Sequence, residues 1–159
     1  MRWFAPRREE CEKIQNMHAH PTLLILAAGR GTRFRASGGS SHKLDALLDG
    51  LSVLEHSIRN AKDSGLAWHV VRADEGGEGM GDSIAAGVRA TPDANGWLII
   101  PADLPLVRPT TLKSVAQALE QRSHEVVLPF FDGRQGHPVA FSADCFAALA
   151  ALHGDKGAA

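Results

Sequence analysis

The run TLLILAAG at residues 22–29 constrains this chain more than any other feature, and it passes directly into Arg30, Gly31, Thr32, Arg33 and Phe34. A strand with one wet face alternates apolar and polar residues. This run does not alternate, so both of its faces must be buried, as in a parallel sheet covered by helices on both sides. The glycine-rich basic stretch that follows stands at the carboxyl end of the strand, where sheets of this kind open to ligands. A chain that begins its core this way has to supply helices for two faces.

The remaining pattern supplies them. In SVLEHSIRNAKDS, 52–64, the residues Val53, Leu54, Ser57, Ile58 and Ala61 share one helical face, and Gly65 is the stop. A strand follows at 67–72, then the acidic glycine loop ADEGGEGMG, then a helix over 82–91 with Asp82 as its N-cap. The strand WLIIP leads to Asp103. Pro109 opens a helix over 109–122 that carries Leu112, Val115, Ala116 and Leu119 at helical spacing. EVVLPFF, 125–131, and HPVAF, 137–141, are predicted strands separated by DGRQG, forming a hairpin or a sheet excursion, and CFAALAAL closes the chain as a helix. The alternation predicts an α/β fold: a Rossmann-like, three-layer α/β/α domain with a mostly parallel sheet. Residues 1–20, which end at Pro21, are read as an extension and 21–159 as one domain, in keeping with a 159-residue length.

Composition narrows the functions. The net charge of −1 argues against a nucleic-acid backbone as partner. It is unevenly spread, with a net +5 over residues 1–43 and −6 over 44–159, a division suited to a small anion held together with a divalent cation. No apolar run reaches the roughly 18 residues of a membrane span, and the amino terminus lacks a signal-peptide core. Cys11 and Cys145 form no disulfide framework, so a cytoplasmic protein with free thiols is expected.

Four segments can carry chemistry. In the first, Leu26, Ala27, Ala28, Gly29, Arg30, Gly31, Thr32 and Arg33, small residues let backbone N–H groups approach an anion, and Arg30 and Arg33 supply charge to phosphate oxygens. The segment fits neither a Walker loop nor a dinucleotide fingerprint, and an ordinary strand-to-helix turn is the plainer reading. Lys43, after ASGGSSH, can fold back onto the same phosphates. In the second segment, 76–83, with Gly79, Met80, Gly81, Asp82 and Ser83 at the start of a helix, N–H groups could take an anion or the edge of a base, although a flexible loop with Asp82 or Ser83 as N-cap explains it as well. In the third, Asp103 follows a buried strand, where one carboxylate suits Mg²⁺ held mainly by substrate phosphates. In the fourth, Gly136, His137 and Pro138 could position an acceptor, with His137 as donor or base, although a turn explains the glycines equally well.

Taken in order, LAAGRGTRF, Lys43, GEGMGDSIAAGV, PADLPLV and GRQGHPVAF resemble the nucleotidyltransferases of molybdenum cofactor maturation, nearest to their cytidylyltransferase branch, from residue 22 to about 157. The resemblance implies transfer of NMP from an NTP, with CTP favoured, to a phosphate-bearing acceptor such as molybdopterin, with release of pyrophosphate. It implies that residues 26–33 and Lys43 hold the nucleotide phosphates, that Arg33, Lys43 and Asp103 carry the catalysis, and that Asp103 binds Mg²⁺ as cofactor. By the same resemblance Gly79, Met80, Gly81 and Ser83 lie near the base, and Gly136, His137 and Pro138 face the acceptor. A molybdoenzyme or maturation protein is the implied macromolecular partner, with no nucleic acid and no membrane. Only seven residues, 72–78, stand where family members carry a further strand and helix, so the sheet is expected to be one unit shorter. Relatives also continue past GDKGA with a segment that can supply a second metal carboxylate. Two alternatives follow: a non-catalytic nucleotide- or cofactor-binding accessory module, and a nucleotidyltransferase for another small phosphate such as a sugar phosphate.

Overall fold

The computed structural model describes residues 20–29, 43–75, 77, 79–121, 124–155 and 157. Its centre is β1, Thr22–Leu26, which pairs in parallel with β4, Trp68–Val71, on one side and β5, Gly96–Pro101, on the other. Beyond β5 come β9, Val139–Ser142, and β6, Val126–Val127, giving the order β4-β1-β5-β9-β6. Strand β9 runs antiparallel to both of its neighbours, so β6 points the same way as β5.

The pleat divides the apolar runs between two cores. Leu23 and Ile25 of β1, Leu98 and Ile100 of β5 and Ala140 of β9 face one side, where α1, Val53–Ser64, and α3, Pro109–Glu120, cover them with Ala61, Leu112, Val115, Ala116 and Leu119. The alternate residues Leu24, Trp97, Ile99, Val139 and Phe141 face the other side, under Ile84 and Val88 of α2, Met80–Ala90, and Leu149 of α4, Phe146–Ala150. This is the three-layer α/β/α arrangement, and it explains the absence of a polar face in TLLIL. Full burial of each such side chain contributes about 1.5–3 kcal/mol. No helix among the described residues is long and apolar enough to cross a membrane.

Helix α1 begins at a capping box. Ser52 Oγ accepts from the Glu55 N–H at 3.2 Å, and the Glu55 carboxylate accepts from the Ser52 N–H at 2.7 Å. The Ser52 N–H and hydroxyl hold the Glu55 pKa below its usual value, so this contribution is present above the ordinary carboxylate range and is lost as pH falls through the lowered value.

Several boundaries differ from the sequence reading, each for a local reason. Helix α2 starts two residues early, at Met80. Asp82 is its third residue rather than the N-cap, and its carboxylate reaches back to accept from the Gly79 N–H at 3.0 Å. The 125–131 run is two strands, not one, because Pro129 interrupts it. Phe130–Phe131 (β7) pairs instead with Arg134–Gln135 (β8) around Asp132 and Gly133, both at positive φ. A second hairpin, β2 (Leu47–Leu48) with β3 (Leu51–Ser52), turns on Asp49 and Gly50 in the same way. The last helix is a 3₁₀ turn, Ala143–Cys145, followed by five α-helical residues. Between Val71 and Met80 the described residues form no strand or helix, and among the described strands β4 is an edge of the sheet.

Candidate active site

Topology gathers the site before any side chain does. The chain leaves β1 through α1 to β4 on one side, then returns across β1 through α2 to β5 on the other. Consecutive connections diverge between β1 and β5, and the crevice beyond their carboxyl ends is where open α/β sheets bind ligands. Ala102 N–H donates to Leu26 C=O at 3.0 Å, and Ala27 N–H donates to Val71 C=O at 2.8 Å, so the ends of β4, β1 and β5 are stitched together at this rim.

Lys43 and Asp103 meet there. Sixty residues apart in sequence, they form an ion pair in which Lys43 Nζ donates to Asp103 Oδ2 at 2.6 Å. Each is set by a rigid neighbour. Lys43 opens the 3₁₀ turn Lys43–Asp45, whose Leu44 is buried against the α1 side of the core. The loop after β5 is held from α1: Ser57 Oγ donates to Ala102 C=O and Asn60 Nδ2 to Pro105 C=O, each at 2.8 Å. The sequence reading placed Ser57 on the buried face of α1 without giving it this task, and it passed over Asn60. Ser57→Ala leaves a buried carbonyl unpaired and is expected to lower the unfolding free energy by about 1–3 kcal/mol, as measured by urea denaturation; a change below about 0.5 kcal/mol, the size of an ordinary surface substitution, would show that the bond is not needed.

The other expected residues lie along the same rim. Leu26, Ala27, Ala28 and Gly29 leave the end of β1, with Ala28 buried and Gly29 exposed. Arg30, Gly31, Thr32 and Arg33 lie outside the described residues. Gly79, Met80, Gly81 and Ser83 open α2 beyond β4. Here the structure narrows what the sequence left open, because the Gly79 N–H is engaged by Asp82 and the Gly81 N–H by the Gly154 carbonyl at 2.8 Å. Gly154 therefore caps this helix, and a Cβ on Gly79 would sit 2.1 Å from the Gly154 carbonyl carbon and oxygen. On the far side, Gly136, His137 and Pro138 precede β9 at the level where β5 ends; Pro138 is buried, His137 exposed, and Gly136 N–H donates to Pro129 C=O at 2.8 Å.

The rim thus reads from the α2 loop at β4, through the Lys43–Asp103 centre at β1 and β5, to the 136–138 stretch at β9. At the usual strand spacing it spans roughly 14 Å. The β7–β8 hairpin rises at the same end and exposes Phe130 and Phe131. Sequence reasoning placed these aromatics at the end of the 125–131 strand, with DGRQG as the break after it, and gave them no part in a site.

A divalent cation can be tested against these residues. Among the described residues no group of three or more His, Cys, Asp or Glu could hold a metal. One carboxylate at the mouth of a crevice nevertheless fits a hard cation that takes most of its ligands from substrate phosphates and water. That Asp103 already draws an ammonium to 2.6 Å shows the position favours positive charge.

Residues 64–159 match the family model of the MobA-like NTP transferase domain. The chain belongs to this family. An NTP transferase of this kind works on a nucleoside triphosphate and a phosphate acceptor, so its general function is that of a nucleotidyltransferase. The fold is similar to that of Rv0371c from Mycobacterium tuberculosis H37Rv, at 26% identity and a TM-score of 0.68, covering 87% of this chain and 79% of that one. A structure of Rv0371c in complex with manganese is similar at 25% identity and a TM-score of 0.64, with the same coverage. The fold also matches molybdopterin-guanine dinucleotide biosynthesis protein A from Archaeoglobus fulgidus, at 15% identity and a TM-score of 0.57, covering 80% of this chain and 70% of that one. It matches 4-diphosphocytidyl-2C-methyl-D-erythritol synthase from Anaerococcus prevotii at 14% identity and 0.56, covering 82% and 75%. No curated protein sequence matches the chain. In this NTP transferase-like domain the strand order β4-β1-β5-β9-β6 places the Lys43–Asp103 pair beyond the carboxyl ends of β1 and β5.

Proposed function

We propose that the chain, through one domain over residues 21–159, transfers a nucleotidyl group, CMP from CTP, to the phosphate of a pterin-type cofactor such as molybdopterin, with Mg²⁺ at Asp103. The observation that carries this reading is the Lys43–Asp103 pair at the switch point: a phosphate-binding cation and a metal-binding carboxylate brought together from distant loops. Residues 26–33, with Arg30 and Arg33, and Lys43 hold the triphosphate. Gly79, Met80, Gly81 and Ser83 border the base, which suits a loop whose N–H groups at 79 and 81 are already engaged and so not free for a phosphate. Gly136, His137 and Pro138 face the acceptor from β9. Residues 1–20 are an extension to this domain, and the reaction belongs in the cytoplasm, where the acceptor's maturation partner, a molybdoenzyme or its assembly protein, would collect the product.

In the reaction, an oxygen of the acceptor phosphate forms a bond to the α-phosphorus of the triphosphate. The bond from that phosphorus to the bridging oxygen breaks, and its electron pair leaves with pyrophosphate. The acceptor phosphate is ionised at neutral pH, so no strong general base is required. The chain's part is to align two anions and offset their repulsion with Arg33 and Lys43. A divalent cation at Asp103 supplies further charge neutralisation at the departing pyrophosphate.

Titration calorimetry with CTP, GTP and ATP, each with and without Mg²⁺, tests the reading. Binding that is strengthened by Mg²⁺, prefers CTP and weakens at least tenfold in Arg33→Ala, as expected for loss of a charge-assisted phosphate contact, is the expected result. Binding of CTP with equal affinity by Arg33→Ala would remove the 26–33 loop from the phosphate site. Binding without any pyrophosphate release in the presence of molybdopterin would favour the accessory-module reading, and release with a sugar phosphate instead would replace the acceptor.

A further inference from the structure

The Lys43–Asp103 bond has a consequence for how the site is loaded. Both residues stand on backbone that is fixed. Leu44, next to Lys43, is buried in the core, and the Asp103 loop is pinned by Ser57 and Asn60. The pair nonetheless lies at the mouth of the crevice, with the lysine 46% and the aspartate 36% exposed. The backbones are therefore held while the lysine side chain, on four rotatable bonds, is free to leave. With the ammonium 2.6 Å from its oxygen, the single carboxylate is already neutralised, and an arriving divalent cation meets a like charge beside its ligand. No cluster of three or more acidic, His or Cys ligands among the described residues offsets that repulsion.

We propose that Lys43 is a placeholder for the cation: it covers Asp103 until a triphosphate draws the ammonium onto its own oxygens, so that the cation is accepted with the nucleotide and not before it. This rests on the nucleotidyltransferase reading of the site and adds an order of binding to it. The physical reason is charge. The pair alone is neutral and attracts no cation, whereas a triphosphate brings enough negative charge to engage the lysine and leave Asp103 for the metal. The device keeps the carboxylate from holding a metal idly and makes Lys43 a positioning residue for Asp103 as well as a phosphate contact.

The test is Mn²⁺ binding to the full chain without nucleotide, followed by loss of the free-ion electron paramagnetic resonance signal. Lys43→Met, with Lys43→Gln as a second variant, is expected to bind Mn²⁺ on the order of tenfold more tightly than the unmodified chain, within the usual range of coupling between two charges sharing a site. The gain should vanish when Asp103→Asn is added to either variant. Equal Mn²⁺ affinity with and without Lys43, or a gain that persists in the double variant, overturns the proposal. A second arm measures CTP without metal by calorimetry: Asp103→Asn frees Lys43 for the phosphates, so affinity should rise several-fold. A fall overturns the placeholder role, and absence of CTP binding to any form, metal present or not, overturns the underlying nucleotidyltransferase reading instead while the Mn²⁺ arm still reports on the pair.

Discussion

Asp103→Asn is expected to lower metal-dependent nucleotidyl transfer on the order of 10²-fold or more while leaving the protein folded. The substitution keeps the shape but removes the charge that a hard cation requires and that holds the Lys43 ammonium. Its structural cost is small. The pair is part-exposed at 46% and 36%, and ion pairs in such surroundings contribute under about 1 kcal/mol. The loop also keeps its Ser57 and Asn60 bonds, which involve backbone carbonyls of Ala102 and Pro105 and not the Asp103 side chain. Initial rates of pyrophosphate release at saturating CTP, with urea denaturation of the same preparation, separate the two effects. Unchanged turnover would remove Asp103 from the chemistry. A loss of turnover accompanied by several kcal/mol of lost stability would make it a structural residue.

Trp97→Ala carries the largest expected effect on stability, a loss of about 3–5 kcal/mol, as for other large-to-small core substitutions. Trp97 is 1% exposed and lies on the α2–α4 face of β5. Its indole N–H donates to Thr91 Oγ1 at 2.9 Å, and its ring lies 5.9 Å from that of Phe146 at 42°. Removing it opens a cavity beneath α4 and leaves the Thr91 hydroxyl without this donor. In a domain of ordinary stability, about 5–15 kcal/mol, that is about a fifth of the total or more. Because β5 ends two residues before Asp103, activity should fall with the folded fraction. Trp97→Phe should recover most of the packing but not the hydrogen bond, a residual loss of about 1 kcal/mol. A loss under about 1 kcal/mol in Trp97→Ala would mean that α4 collapses into the space and the second core is softer than its burial indicates.

The legible parts of the sequence are those governed by local rules. An eight-residue apolar run with no alternation required a two-faced strand, and the helical spacing of Val53, Leu54, Ile58 and Ala61 required a helix to cover it. Both stand in the structure. The missed parts have equally local causes. Asp49-Gly50, with both residues at positive φ, is a hairpin turn that the reading did not place; DGRQG was placed as the break between two strands, but a run of aromatic and β-branched residues before it drew Phe130 and Phe131 into a strand that Pro129 ends. Asp82 has the chemistry of an N-cap, but glycine at 79 lets the chain enter the helix earlier and leaves the carboxylate to act from its third position.

The sequence by itself determined the fold class, the two buried faces of the sheet and the identity of Lys43 and Asp103 as charged residues in the right kinds of loop, because apolar periodicity and turn chemistry act over a few residues. It also gave the expectation of a sheet one unit shorter, since only seven residues, 72–78, stand between β4 and the α2 loop, and the described ones among them form no strand or helix. Only the tertiary structure decided that Lys43 and Asp103 touch, that Ser57 and Asn60 hold the loop between them, that Gly154 caps α2, and that β9 runs against its neighbours. Each of these depends on where a strand crossover places two segments many residues apart, and no local pattern encodes that: the pairing is chosen by which packing buries both faces of β1 at once.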